Sequence, residues 1–150
     1  MSLIKDTDTF NLHRFIKAQN GFYGNYTNAL KEIKAGRKED CWMWYIFPQG
    51  PFGYSETSKI YAILSIDEAK AFLSDPTLGQ RLREITSEVL KHNNKKVEDI
   101  FNRDFNKFRA SMTLFSLIDE AENSIFEEAI DVFFKGVKHY KTIAYFHKKG

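Results

Sequence analysis

Trp42-Met43-Trp44-Tyr45-Ile46-Phe47, running straight into Pro48-Gln49-Gly50-Pro51-Phe52-Gly53-Tyr54-Ser55, is the stretch on which the fold class turns. Six consecutive large, mainly apolar side chains leave neither an alternating nor a helical polar face, so the run has to be covered on every side. Pro48 then takes the chain out of any regular ladder. This run is the one strand candidate in the chain, and a lone strand has no partner for its backbone groups. Two readings stay open. The run is one to two turns of buried helix started by Glu39 or Asp40, or it is an extended segment whose backbone is paired by side chains. Either leaves an all-α, or nearly all-α, fold in a single helical domain spanning residues 1–150.

On both sides of this run the pattern is helical. Upstream, Asp8 suits the cap of a first helix with Leu12, Phe15, Ile16 and Gln19 on one stripe, broken near Gly21 and Gly24. A second helix places Phe22, Tyr26, Ala29, Leu30 and Ile33 on one face and ends with Gly36 at its C′ position. Downstream, Ser65 and Glu68 have capping-box spacing, and Asp75-Pro76 reads as an N-cap followed by proline at the first helical position. The helix they start carries Leu78, Leu82, Ile85, Val89 and Leu90 into the Asn93-Asn94 turn. Val97 to Phe101 forms a short helical turn. Phe105, Phe108, Met112 and Phe115 then recur at spacings of three and four, a long buried stripe. Ser124 and Glu127 form a second capping box, Gly136 stops that helix, and Thr142 to Phe146 predict a last short one.

Composition narrows the class. A chain of 150 residues with 15% aromatic residues can build one aromatic-rich core. The formal charge of +2 is too small to argue for a nucleic-acid partner. The basic groups Lys91, Lys95, Lys96 and Lys138, Lys141, Lys148, Lys149 read as a solvated helix end and a fraying C-terminus. One cysteine allows no intramolecular disulfide, and Met1 to Asp8 shows no secretory h-region. No apolar run approaches the roughly 18 residues of a membrane span. A soluble, cytoplasmic protein with no membrane partner is the expectation.

Chemistry concentrates at two places. In the loop Pro48 to Ser55, Ser55 suits the N-cap of a short helix holding Lys59, and an amide-rich approach to such a helix favours an anion. Gln49 stands at the rim, and Trp42 or Trp44 offers a flat ring for stacking. The competing reading is a loop closed on itself by Pro51, Phe52 and Tyr54, since it matches neither the dinucleotide fingerprint nor the phosphate loop. The second place is the helix after Arg103. Asp104, Lys107 and Ser111 lie on one stripe beside the phenylalanines, at the edge of the core, with Arg109 on the far side. There they serve a pocket, or Asp104 and Lys107 simply pair.

Other chemistries find little support. Cys41 has Arg37 and Lys38 nearby, but Trp42 and Met43 predict a buried, inert thiol. His13, His92, His139 and His147 show no paired-ligand spacing, so neither a metal nor a cofactor is expected. No residue is assigned a catalytic role.

Taken together, Arg14-Phe15 with Ala18-Gln19, Ala29-Leu30 through Gly36 and Lys38, and Trp42-Met43-Trp44 with Ile46-Phe47-Pro48-Gln49 form a pattern. Gly53, Ser55, Ser58 and Tyr61 continue it, then Glu68-Ala69, Leu78-Gly79, Arg81-Leu82 and Ile100-Phe101. Asp104, Lys107, Arg109 and Ser111-Met112-Thr113-Leu114-Phe115 complete it. The pattern resembles a bacterial family catalogued only as number 1810 among the domains of unknown function, often mislabelled calpastatin. The resemblance implies a mainly helical domain of the bacterial cytoplasm and brings no activity, substrate or catalytic residue. Calpastatin-like inhibitors are disordered, whereas this composition is that of a folded domain. The family usually has histidine where this chain has Cys41, and a position that takes either is not that of an obligate nucleophile.

Two functions follow as expectations. The first is a small-molecule site for a planar, anionic, nucleotide-like ligand, with or without catalysis. Trp42 and Trp44 would wall it, Gln49, Ser55 and Ser111 rim it, and Lys59, Lys107 or Arg109 charge it. The second is a protein-interaction module exposing Phe52 and Tyr54. They part on geometry: the first requires Gln49, Ser55 and Lys107 to meet in one cleft. The oligomeric state has no signature in the sequence.

Overall fold

The computed structural model describes residues 8–149, without the side chains of Lys148 and Lys149. The polar stretch from Met1 to Thr7, with its Ser2 and Lys5, lies outside the described residues. Among those described there is no strand. The helices are α1 (His13–Gln19), α2 (Tyr26–Lys34), α3 (Met43–Ile46), α4 (Glu56–Ile60) and α5 (Ile66–Ser74). They continue as α6 (Leu78–Leu90), α7 (Val97–Phe101), α8 (Phe105–Ile118), α9 (Ile125–Phe134) and α10 (Tyr140–Lys149). No helix of the described residues is long and apolar enough to cross a membrane.

Caps written in the sequence fix most of these boundaries. Ser55, Ser65 and Ser124 each accept a backbone N–H from the first turn of the helix that follows. Asp75 Oδ2 accepts from Thr77 and Leu78 N–H, so α6 starts two residues later than the Asp-Pro signal predicts. Asp8 reaches farther, taking Leu12 and His13 N–H at 2.7 and 3.0 Å. The Ser65/Glu68 box closes on one side only. Glu68 Oε1 accepts from Leu64 N–H, and its other oxygen pairs with Arg14 at 2.7 Å.

Helix α8 lies at the centre, packed against α5, α7, α9 and α10, while α6 packs against α2, α5 and α9. Its stripe does what spacing predicts: Phe108, Met112 and Phe115 are fully buried. Phe108 stacks on Phe101 with centroids 4.4 Å apart, and Phe47 meets both rings edge-on.

The Trp42–Phe47 run takes the helical alternative. Helix α3 is a single turn, and neither Glu39 nor Asp40 caps it. Glu32 on α2 holds the approach instead. Its Oε1 accepts from Glu39 N–H, Asp40 N–H and Trp42 Nε1–H at 2.7, 3.1 and 2.8 Å. One carboxylate from a different helix thus satisfies the donors that local sequence leaves unpaired.

Two sequence expectations fail here. Phe22 is no part of the α2 face: the helix begins at Asn25, whose side chain caps it, and Phe22 stands 88% exposed in the preceding loop. Cys41 is exposed rather than buried. The covering of the aromatic run starts at Trp42, one residue later, because the three donors held by Glu32 turn the backbone there.

Asn102 joins α7 to a 3-10 turn (Asn102–Asp104) with φ 56° and ψ −129°, a region that non-glycine residues rarely adopt. Its Nδ2 donates to the Lys38 carbonyl at 2.9 Å, and Lys38 N–H donates to the Ile100 carbonyl at 2.7 Å. These contacts hold the strained residue and aim the next two, Arg103 and Asp104. Gly and Ala at position 102 both lack the side-chain bond, so comparing them isolates the backbone. Asn102→Gly is expected to be more stable than Asn102→Ala by about 1–3 kcal/mol in urea unfolding, the reverse of the usual order. Equal stability of the two variants would show that no strain is stored there.

Candidate functional site

A cleft of about 510 Å3 opens where α3, the loop after it and the first turns of α8 and α10 meet. Trp44 forms one wall, and the loop supplies Gln49, Phe52, Gly53, Tyr54 and Ser55. Arg103, from the strained turn, and Asn106 and Lys107 of α8 also line the cleft. His139 and Lys141, at the start of α10, close the floor. Four of the sequence-predicted residues, Trp44, Gln49, Ser55 and Lys107, therefore border one concave surface.

The loop can pass so close because of Gly53. A Cβ there would lie 2.5 Å from the Ser58 side chain and 2.7 Å from the Trp44 ring. Gln49 is anchored by its main chain, whose carbonyl accepts Ile63 N–H at 2.9 Å. Its side chain is 4% exposed, and Nε2 has no hydrogen-bond partner. A buried donor without an acceptor costs about 1–3 kcal/mol. Thr86 Oγ1, Arg109 Nε and Ser111 Oγ share this state, and of the four residues only Gln49 lines the cleft.

Charge is one-sided. Arg103, Lys107 and Lys141 line the cleft, and no carboxylate does. Lys107 Nζ sits 4.6 Å from the centroid of the Trp44 ring and 2.8 Å from Asp104 Oδ1. Asp104 Oδ2 pairs with buried Lys38 at 2.8 Å. Burial pushes the Asp104 carboxyl up, but the hydrogen bonds from Lys107 and Lys38 outweigh it and hold it below the ordinary aspartate range. Asp104 therefore bridges Lys107 and Lys38 with one negative charge for two cations, while Arg103 and Lys141 form no ion pair among the described residues.

His139 caps α10. Its N–H donates to Thr113 Oγ1 at 2.9 Å, tying the helix start to α8. Its Nδ1 lies 2.7 Å from Thr142 Oγ1 and accepts Thr142 N–H at 3.3 Å. The same Thr142 N–H donates to the His139 carbonyl at 3.1 Å, so the ring contact is a shared one. With Nδ1 unprotonated it accepts from both Thr142 groups and the proton sits on Nε2, whereas in the other tautomer Nδ1–H donates to Oγ1. Burial lowers the tendency of this imidazole to protonate, and the charges of Arg109 and Lys141 lower it further.

The remaining predicted residues fall elsewhere. Trp42 is 1% exposed, bonded to Glu32, and lines a neighbouring hollow of about 270 Å3 with Cys41 and Tyr45. That hollow shares Trp44, Ser55 and Lys107 with the cleft. Lys59 is exposed on α4, off the cleft walls. Arg109 lies over the Phe134 ring at 4.6 Å, and Ser111 is fully buried rather than at the core edge. Neither lines the cleft. On α8 the residues that do are Asn106 and Lys107, a turn earlier, because Arg109 turns onto Phe134 of α9 and Ser111 faces the core. The α4 N-terminus is not the anion site that the Ser55 signal predicts, for α4 has only five residues and its Ser58 N–H is taken by Ser55 Oγ.

Arg103, Asn106, His139 and Lys141 were missed by sequence reasoning. The available signal was His139 three residues before Thr142, a capping spacing at the start of the last helix. Among the described residues, no three of the His, Cys, Asp and Glu side chains are grouped so as to hold a metal ion.

Comparison with known proteins agrees with the fold. A family model described as a protein of unknown function, DUF1810, matches residues 9–146. The conserved hypothetical protein Rv1873 from Mycobacterium tuberculosis, solved by crystallography, is similar at 36% identity and a TM-score of 0.87. The match covers 93% of this chain and 99% of that one. No curated protein matches.

Proposed function

This chain belongs to the DUF1810 family of proteins of unknown function, and from its cleft we propose that it binds a small, planar, anionic molecule of nucleotide-like shape. The observation that carries the reading is convergence. Gln49, Ser55, Lys107 and Lys141, spread over most of the sequence, border one hollow that holds cations, a partnerless buried amide and an aromatic wall. An anion would be drawn by Arg103 and Lys141, and Trp44 and Tyr54 offer faces for a flat ring. Tyr54 is 93% exposed, so its ring is free to close over a bound one. The lone cysteine accords with work in the reducing bacterial cytoplasm.

The interaction-module alternative has less behind it. Phe52 is half-buried between His139 and Tyr145, with centroids 5.4 and 6.0 Å away, which leaves Tyr54 alone as the exposed aromatic of that loop.

Thermal-shift screening against planar carboxylates, nucleotides and nucleosides tests the reading. A ligand at a hundredfold excess over its Kd should stabilise the fold by about 2.7 kcal/mol. It should also quench tryptophan fluorescence, and Trp44→Phe should abolish that quench, because the remaining Trp42 is buried away from the cleft. A ligand that quenches Trp44→Phe as strongly as the native chain binds elsewhere. No stabilisation across such a library would remove the reading.

A further inference from the structure

We propose that the charged end of this ligand is a phosphomonoester, seated at the first turn of α10 between Arg103 and Lys141, with His139 as a neutral hydrogen-bond donor through Nε2. The inference rests on the binding reading above and names the chemistry of its anionic end.

Four independent features of the cleft converge on it. First, α10 has ten residues and His139 and Lys141 at its N-terminal end line the cleft; Thr142 N–H is held by His139, which leaves the Tyr140 and Lys141 amides for a ligand. Second, Gln49 lines the same hollow with a buried Nε2 that lacks an acceptor. Phosphate oxygens are strong acceptors and can satisfy several donors at once. Third, the charge count favours a double anion. Asp104 brings one negative charge to both Lys107 and Lys38, and Arg103 and Lys141 have no ion-pair partner among the described residues, so the cleft holds an excess of at least two positive charges. A phosphomonoester carries about −1.5 to −2 at neutral pH, which matches two cations better than a single carboxylate does.

The fourth feature is the tautomer of His139. Thr142 N–H is shared between the His139 carbonyl at 3.1 Å and Nδ1 at 3.3 Å, and only an unprotonated Nδ1 accepts from both this N–H and the Thr142 hydroxyl. Burial of the ring, and after it the charges of Arg109 and Lys141, also favour the neutral form. A neutral imidazole in this tautomer presents Nε2–H as a donor without adding a charge that must be neutralised. Phe52 packs against the ring and holds its plane.

The test uses the full chain with AMP, adenosine and inorganic phosphate as probes, followed by calorimetry and by 15N NMR of the histidine rings. His139 is assigned by the signals lost in His139→Gln. AMP is expected to bind at least about tenfold more tightly than adenosine. Arg103→Gln and Lys141→Gln should each weaken AMP several-fold while leaving adenosine unchanged. Inorganic phosphate alone should shift the Tyr140 and Lys141 amides and the His139 Nε2 signal, with the ring staying in its Nε2–H form.

Equal affinity for AMP and adenosine would overturn the phosphomonoester inference and leave the planar-ligand reading standing. So would a planar carboxylate that quenches Trp44 when AMP does not bind. Phosphate shifts confined to resonances away from α10 would also overturn it, as would an Nδ1–H or doubly protonated His139 in the complex. Failure of every planar anion would sink both readings together.

Discussion

Phe47→Ala is expected to destabilise the protein by about 3–5 kcal/mol, the usual cost of deleting a fully buried phenylalanine ring. Phe47 is wholly inaccessible. Its ring stands edge-on to Phe101 at 5.6 Å and to Phe108 at 5.2 Å, and tilts against Trp42 at 6.2 Å. Removing it opens a cavity bounded by α7, α8 and the α3 turn at once, and those walls cannot collapse together. Phe47→Leu keeps most of the volume and should cost markedly less. Urea unfolding with an unchanged slope and a lower midpoint is the measurement. A loss below about 1 kcal/mol would mean that the ring cluster is not what fixes α3 to the rest of the fold.

Asp104→Ala is the second large effect, at about 3–5 kcal/mol. The carboxylate bridges Lys38 and Lys107, each at 2.8 Å. Only Lys38 is buried, and without Asp104 its ammonium keeps a carbonyl, Asp40 O at 2.6 Å, and the Trp42 ring at 5.1 Å. Neither neutralises it. Lys38→Met on top of Asp104→Ala should therefore recover a large part of the loss, a coupling that a double-mutant cycle reads directly. If Asp104→Ala costs the same in both backgrounds, the pair is not what stabilises this corner.

The same carboxylate sets a pH dependence. Its folded pKa lies below its unfolded value, so the unfolded chain binds the proton more readily. The stability it contributes is complete above the ordinary aspartate value of about 3.9 and drains away as pH falls through the lower folded value. Asp119 works in the same direction: burial raises its pKa, but hydrogen bonds from Arg83 and Ser124 bring it below the ordinary range. Asp104→Ala should flatten part of this acid limb while lowering stability at neutral pH.

The caps show what could be read in advance. Ser55, Ser65, Asp75 and Ser124 act within one turn of chain, so their chemistry is local and the sequence displays it. The Phe105 to Phe115 stripe was legible for the same reason, since its spacing alone puts those rings on one side of a helix. Glu32 was not legible. It holds Trp42 from another helix, and nothing in the sequence around either residue points to the other. Arg109 and Ser111 were misplaced because periodicity gives a helix face but not the element that covers it. Only the tertiary structure shows that the part of α8 open to the cleft ends near Lys107.

The site divides along the same line. Trp44, Gln49 and Ser55 belong to one loop and its flanks, and a single pass along the chain groups them. Arg103, His139 and Lys141 join them through the strained turn at Asn102 and the docking of α10 on Thr113. The sequence by itself determined that the chain is all-α, where most helices start and stop, and which rings make the core, because each depends on neighbours within a turn or two. Tertiary packing alone decided that the cations of two distant helix starts share one cleft with a partnerless buried amide. That arrangement depends on contacts between residues far apart in the chain, which local spacing does not encode.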